Sequence, residues 1–365
     1  MSNLFDYINW RGDLHIYQDG INEVDGVIFA ELAYVLFDDV LKEYDSRMTL
    51  RDAGIIFLNK FDKKSKQDNI TTLEKNTADI LRCAIKSERF GSLFVTGYTN
   101  VINKENAMQF GAITFELGNE NCFVAFRGTD DSLAGWEEDL DLCYKCPVMS
   151  QIAAEGYLRK IIAEYSGDIY VGGHSKGGNL AVYSLYKQDK TDRVRKVYNY
   201  DGPGFLQDII EDDRYGKILP LIESYMPQES LVGMMMSHDE FNIVRSEKHG
   251  ITQHCPIYWQ VMGCKFENAE SFKKISVTFN RMCNKWVSEI GTDERALFVN
   301  IVFEILKAPD ADTFGKFSEN ILKNTNTVIK SYTSLDKNTK KMIKNIMRQV
   351  LKLGGQSIAK NHSGN

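Results

Sequence analysis

Residues Gly173-His174-Ser175-Lys176-Gly177 form a G-x-S-x-G pattern between the apolar run Asp168-Ile169-Tyr170-Val171 and the helix-like run from Asn179 to Tyr186. A serine on so tight a strand-to-helix turn is held in a strained backbone conformation, which the flanking glycines allow by removing side-chain bulk. Its hydroxyl is lifted clear of the sheet, where it could attack an acyl carbon. Five-residue matches of this kind arise by chance, so the weight falls on the strand-turn-helix setting. A competing reading, a glycine-rich turn that binds phosphate at a helix N-terminus, lacks the G-x-x-x-x-G-K-S/T pattern it would need.

A serine hydroxyl needs a base to take its proton, usually a histidine held by a carboxylate. Of the chain's histidines, His238, His249, His254 and His362 follow Ser175. His362 lies in a polar tail, His249 in a Lys-His-Gly turn, and His238 behind Met234-Met235-Met236. His254 stands in Thr252-Gln253-His254-Cys255-Pro256-Ile257-Tyr258-Trp259, a loop-like stretch closed by aromatics, and is the expected base. For the acid, Glu229 follows the strand expected at Ile222–Met226 and lies at the C-terminal edge of the sheet, where catalytic groups of parallel sheets collect. It is the first choice. Asp201, in Asn199-Tyr200-Asp201-Gly202-Pro203-Gly204, is the second, with a turn aspartate as its plainer reading, and Asp239 is the third. The oxyanion of acyl transfer needs donors as well. The backbone N–H of Lys176 is one candidate and that of Thr129, in Phe126-Arg127-Gly128-Thr129-Asp130, is the other.

The elements that must position these groups follow from periodicity. Residues 24–43 and 74–88 read as helices, so residues 1–90 form a helical lead-in packed on the core. Strand runs then appear at 93–98, 108–117 and 122–126, the last two joined by the turn Gly118-Asn119-Glu120-Asn121. A helix near 151–165, the serine turn with its helix and the strand Val194–Tyr200 complete an alternating pattern. That alternation calls for an α/β fold, a mostly parallel sheet flanked by helices, over residues 91–265. Helical patterns return across 266–365, at 296–306 and again at 336–353, as an extension that could cap the cleft. The last of these is basic and amphipathic. Such a helix can lie on an anionic membrane, although a terminal helix docked on its own domain with a solvated lysine face is the commoner arrangement.

Composition narrows the possibilities further. With 43% hydrophobic residues and a formal net charge of −6, the chain is built to pack a core and shows no general basis for binding nucleic acid. No basic segment followed by an apolar run opens the sequence, and a cytoplasmic protein is expected. The cysteines are odd in number and scattered, which suits reduced thiols. Cys143-Tyr144-Lys145-Cys146 has no second pair to complete a zinc set and reads as structural.

With these residues in view, the chain resembles the class 3, fungal-type lipases. Phe126-Arg127-Gly128-Thr129 with Trp136 and Asp139 is similar to their oxyanion segment, Gly173 to Gly178 to their nucleophile elbow, and His254 with Tyr258-Trp259 to their histidine segment. It is closer still to a bacterial branch of that group, the Mbeg-like hydrolases, through Asn22-Glu23-Val24-Asp25, His174 to Ala181, Asn199 to Phe205 and Gln253-His254. The resemblance implies an α/β-hydrolase fold with Ser175, an acid and His254 as the triad. Two departures stand out. Lys176 replaces a leucine and would place a charge beside the nucleophile, and Gln228-Glu229-Ser230-Leu231-Val232 stands where those lipases carry an aspartate followed by Pro-Val. The expected protein is a serine hydrolase acting on small-molecule carboxylic esters through an acyl-enzyme, with neither metal nor organic cofactor. A thioesterase or amidase using the same residues, and a binding module that keeps the fold without the reaction, are the alternatives.

Overall fold

Side chains along Asn121–Phe126 alternate between two cores: Phe123 and Ala125 face one, while Cys122, Val124 and Phe126 face the other. A strand buried on both faces reads as a nearly continuous apolar run, as this one does. The computed structural model describes residues 2–307 apart from 67–69, 104, 131 and 239, together with the isolated positions 333, 340, 341 and 344. In it this strand is the fourth of an eight-stranded sheet whose spatial order follows the chain. Strands β1 (Met48–Thr49), β2 (Phe94–Asn103), β3 (Met108–Gly118) and β4 (Asn121–Phe126) pair antiparallel. From β4 onward, β5 (Ile169–His174), β6 (Val194–Tyr200), β7 (Ile222–Pro227) and β8 (Asn242–Val244) run parallel.

The first core belongs to the N-terminal helices α1 (Leu4–Arg11), α2 (Ile16–Asp19), α3 (Glu23–Leu32), α4 (Leu50–Lys64), α5 (Thr72–Ala84) and α6 (Glu88–Gly91). Val27 and Phe29 of α3 and Leu81 of α5 pack there against Phe115, Phe123 and Tyr200 of the sheet. Asn22 caps α3 by accepting from the N–H groups of Val24 and Asp25. Asp25 is itself fully buried. Its carboxylate takes two hydrogen bonds from Arg89, at 2.7 and 2.5 Å, and one from the Tyr7 hydroxyl at 2.8 Å. A buried ion pair is tolerable when its remaining polar atoms are also satisfied. Here Arg89 also donates to the carbonyls of Leu14 and Gly20, which locks α1, α3 and α6 together.

The second core is made by the crossovers. Helices α7 (Leu133–Asp141) and α8 (Met149–Glu164) join β4 to β5, α9 (Lys176–Tyr186) joins β5 to β6, and α10 (Gln207–Ile210) and α11 (Asp213–Ile218) join β6 to β7. Leu158, Ile161, Leu180 and Ile218 share one cluster with Val124 and Val171. Consecutive parallel strands linked with a constant handedness collect their helices on one face, so the opposite face is left for the N-terminal helices to cover.

The single helix expected over 24–43 is corrected: α3 ends at Leu32. Beyond it the chain leaves helical geometry to serve the tertiary structure. The Tyr34 hydroxyl reaches the carbonyl of His174, and Asp38 accepts from the Tyr98 hydroxyl and the Asn100 amide. Past β8, α12 (Lys274–Glu289) and α13 (Thr292–Lys307) lie against segments that follow the C-terminal ends of the strands. Asn280 donates to the Met234 carbonyl at 2.9 Å, and Arg295 to the Cys143 carbonyl at 2.7 Å. Apart from three isolated positions, the basic stretch at 336–353 falls outside the described residues, as do His362 and Asp239. Among the described residues no helix is long and apolar enough to cross a membrane.

Candidate active site

Ser175 stands between β5 and α9 with φ 58° and ψ −133°. A non-glycine residue at positive φ costs on the order of 1–3 kcal/mol and persists only where its surroundings dictate it. The turn is enforced by close approach: a Cβ on Gly173 would lie 2.3 Å from the carbonyl carbon of Gly177, and one on Gly178 would lie 2.1 Å from the Asn199 side-chain oxygen. The Ser175 N–H donates to the Tyr200 carbonyl at 2.9 Å, which ties the elbow to the end of β6. The serine remains partly exposed, although every residue of α9 behind it is buried.

Asp201 follows β6 with φ 50° and is fully buried. One carboxylate oxygen accepts from the Ser230 hydroxyl at 2.5 Å and the Gly233 N–H at 3.2 Å. The other lies 2.7 Å from Nδ1 of His254. An ionised carboxylate only accepts, so Nδ1 carries a proton, and in the neutral ring this leaves Nε2 its lone pair, the form a general base requires. The pairing expected of Glu229 is therefore made by Asp201, and that expectation is corrected. Glu229 does lie past β7, but its carboxylate is spent on the loop that carries the histidine: Oε2 accepts from the Gly250 N–H at 2.6 Å, and Oε1 lies 3.4 Å from His249. The Glu229 N–H in turn donates to the buried Gln253 side chain at 2.9 Å, and the Gln253 carbonyl accepts from the Trp259 indole at 2.7 Å. Glu229 thus braces the loop from behind without touching His254.

Directly under the His254 ring lies His174, with ring centroids 4.6 Å apart. Nε2 of His174 is 2.8 Å from the His254 carbonyl, and Nδ1 is 2.8 Å from a carboxylate oxygen of Glu31 on α3. Both ring nitrogens lie near acceptor oxygens, surroundings that favour the protonated ring. Burial opposes that charge, but Glu31, with Asp201 and the His254 carbonyl, outweighs it and holds the His174 pKa above the ordinary histidine value.

On the other flank, Gly128 presses against the elbow: a Cβ there would lie 2.2 Å from the Tyr34 hydroxyl and 3.0 Å from the Ser175 Cβ. This brings the Arg127–Asp130 loop beside the serine. The Thr129 hydroxyl donates to Asp139 at 2.6 Å. Burial pushes the Asp139 carboxyl up to about 6, against the lowering pull of Lys176 and Thr129. Lys176 opens α9, so its backbone N–H has no partner within the helix. Its side chain corrects a further expectation. Rather than standing at the mouth, it is buried, and Nζ donates to Glu138 at 2.9 Å and to the Gln109 carbonyl at 2.9 Å. Helical side chains lean back toward the N-terminus, which at this position means under the turn and between β3 and α7.

Three groups around the serine escaped sequence reasoning: Glu31, Tyr34 and Ser230. Glu31 carried a signal, a carboxylate within the otherwise apolar stretch Gly26–Leu32, whereas nothing local distinguishes Ser230. His238 is half-buried near Asp201, and desolvation of its ring lowers its pKa to about 4. Cys143 and Cys146 are free thiols, which burial pushes up to about 12 and about 11. Among the described residues no cluster of three or more metal-binding side chains is present.

A largely parallel sheet flanked by helices, with a serine at positive φ on a strand-to-helix elbow, is the α/β-hydrolase fold. A model of the Mbeg1-like family matches residues 84–304, more than half of the chain, and the chain belongs to that family. No curated protein matches it. Among solved structures, the chain is similar to a mutant MDLA of Penicillium cyclopium, at 12% identity and TM-score 0.40, covering 69% of this chain and 87% of that one. It is also similar to Rhizomucor miehei lipase in its propeptide complex, at 14% identity and TM-score 0.33, covering 52% of this chain and 65% of that one.

Proposed function

We propose that this protein is a serine hydrolase that cleaves carboxylic esters through an acyl-enzyme. The observation that carries the reading is the pairing of Nδ1 of His254 with the buried, doubly held carboxylate of Asp201, at 2.7 Å, beside a serine forced to φ 58°. In this scheme Ser175 attacks the ester carbonyl, and His254 takes its proton at Nε2 and returns it to the leaving alkoxide. Asp201 keeps the imidazole in the Nδ1–H form and stabilises the imidazolium. The N–H groups of Thr129 and Lys176 hold the oxyanion, and water then releases the acid by the same path. Glu31 and His174 act beneath the base: the His174 ring, flanked by Glu31, holds the His254 carbonyl and so positions the loop that carries the base. Helices α12 and α13, resting on segments that follow β7 and α7, act as a wall of the cleft.

A fluorophosphonate probe tests the reading. The parent protein is expected to take up one label and Ser175→Ala none. Equal labelling of the two, or none of the parent, sinks the proposal and favours a binding module on the same fold. Matched short-chain ester, thioester and amide substrates then rank the leaving groups.

A further inference from the structure

A cavity of about 640 Å³ lies between the Tyr34–Val40 segment, α4, α5 and the oxyanion loop. Neither Ser175 nor His254 lines it. Its volume falls within the range of about 300–1,000 Å³ usual for small-molecule sites. Phe57, Phe61 and Leu73 give it apolar walls, and Leu36 and Ile102, also in the lining, are left 46% and 48% exposed. Uncovered apolar surface of this kind, leading into a cavity, marks a place where an apolar group is received.

Its polar groups narrow the class of ligand. The Thr77 hydroxyl and two nitrogens of the Arg127 guanidinium are buried in the wall with no hydrogen-bond partner among the described residues, and such groups favour a ligand oxygen that could reach them. The three cations of the lining, by contrast, already lie beside carboxylates. Arg127 lies 3.9 Å from Asp130, Lys60 pairs with Asp39 at 3.2 Å, and Lys64 with Glu74 at 3.4 Å. Asp38 is held by Tyr98 and Asn100. A cavity whose cations are paired and whose carboxylates outnumber them gains little from an anionic ligand, whereas hydrocarbon with a neutral oxygen suits it. The lining includes Tyr34 and Arg127, and a Cβ on the adjoining Gly128 would lie 2.2 Å from the Tyr34 hydroxyl and 3.0 Å from the Ser175 Cβ.

We propose that this cavity receives the hydrocarbon tail of an uncharged single-chain acyl ester whose carbonyl reaches Ser175 over the Gly128–Asp130 loop, an assignment that rests on the serine-hydrolase reading. The N-terminal helices, most of which precede the family match at 84–304, thereby set the acyl preference. On p-nitrophenyl esters, kcat/KM rises from acetate to octanoate by up to about fourfold per methylene, the transfer free energy of a buried CH2. Val40→Trp and Leu73→Trp each fill the cavity. Each is expected to lower kcat/KM on octanoate at least tenfold and leave acetate within twofold, acetate turnover serving as the control for folding. Variants that keep the parent's chain-length profile overturn the assignment. In Ser175→Ala, p-nitrophenyl octanoate raises the Tm, and the added Val40→Trp removes that rise. The binding measurement reads the cavity even where the parent cleaves no ester, an outcome that would sink the hydrolase reading alone. A sodium octanoate titration that raises the Tm as far as the ester does contradicts the uncharged class.

Discussion

Two carboxylates flank Ser175, and they are solvated by the protein in opposite ways. Asp201 accepts hydrogen bonds from a hydroxyl, a backbone N–H and the His254 ring, so both of its oxygens are engaged. Asp139 accepts from Thr129 on one oxygen, while the other is buried with no hydrogen bond among the described residues and lies 4.0 Å from Lys176. The contrast teaches that burial by itself does not make a usable anion. What sustains the charge is the number of donors aimed at it. The His254 flank surrounds its carboxylate with donors, and the Thr129 flank is built around a carboxyl that burial raises to about 6.

The sharpest way to break this comparison is to remove the charge on the histidine flank. Asp201→Asn is expected to lower kcat about 10⁴-fold, since the amide favours the wrong tautomer of His254. Glu229→Gln, measured in the same ester assay, is expected to stay within about tenfold of the parent, and a larger loss there would return the orienting role to Glu229. On the other flank, Lys176→Leu keeps the backbone N–H but strands the buried Glu138. It is expected to cost about 3–5 kcal/mol in urea unfolding. An unchanged midpoint would show that the pair contributes nothing.

Smaller effects sharpen the contrast. Glu31→Gln takes away the carboxylate that raises the His174 pKa, and is expected to lower kcat about tenfold with little change in KM. Because the folded-state pKa of His174 is raised, the stability from this pair is fully present below the unfolded value of about 6.5 and is lost as pH rises through the folded value. Glu31→Gln removes that slope in a pH series of Tm, and an unaltered slope would place its origin elsewhere. Asp139 has the opposite sign. Its acid pKa is raised to about 6, so the folded state favours the protonated carboxyl and stability falls as pH rises from about 4 to 6. Asp139→Asn flattens that part of the profile, and a parent already flat across it would exclude such a carboxyl.

Much of this was legible in the chain. Ser175 and its glycines announce the elbow because strain that only glycine neighbours relieve leaves a local signature, and the alternation from residue 93 to 226 announces the sheet because side-chain period is local as well. His254 stood out by its aromatic-closed loop. The acid did not, since Glu229 and Asp201 both follow strands and differ only in what surrounds them in space. Lys176 misled for the same reason: its position after the serine is local, but the carboxylate that draws it inward comes from Glu138, on another helix.

The sequence by itself determined the strained serine turn, the kind of sheet that presents it and the loop that must face it, because each depends on neighbours within a few residues. Only the tertiary structure decided which carboxylate meets His254, that Glu31 of α3 and Tyr34 just past it reach the elbow, and that Lys176 points away from the cleft. Those outcomes turn on which donors and acceptors are brought together from strands and helices far apart in the chain. Periodicity carries no information about such pairings, and the balance of burial against hydrogen bonding selects them.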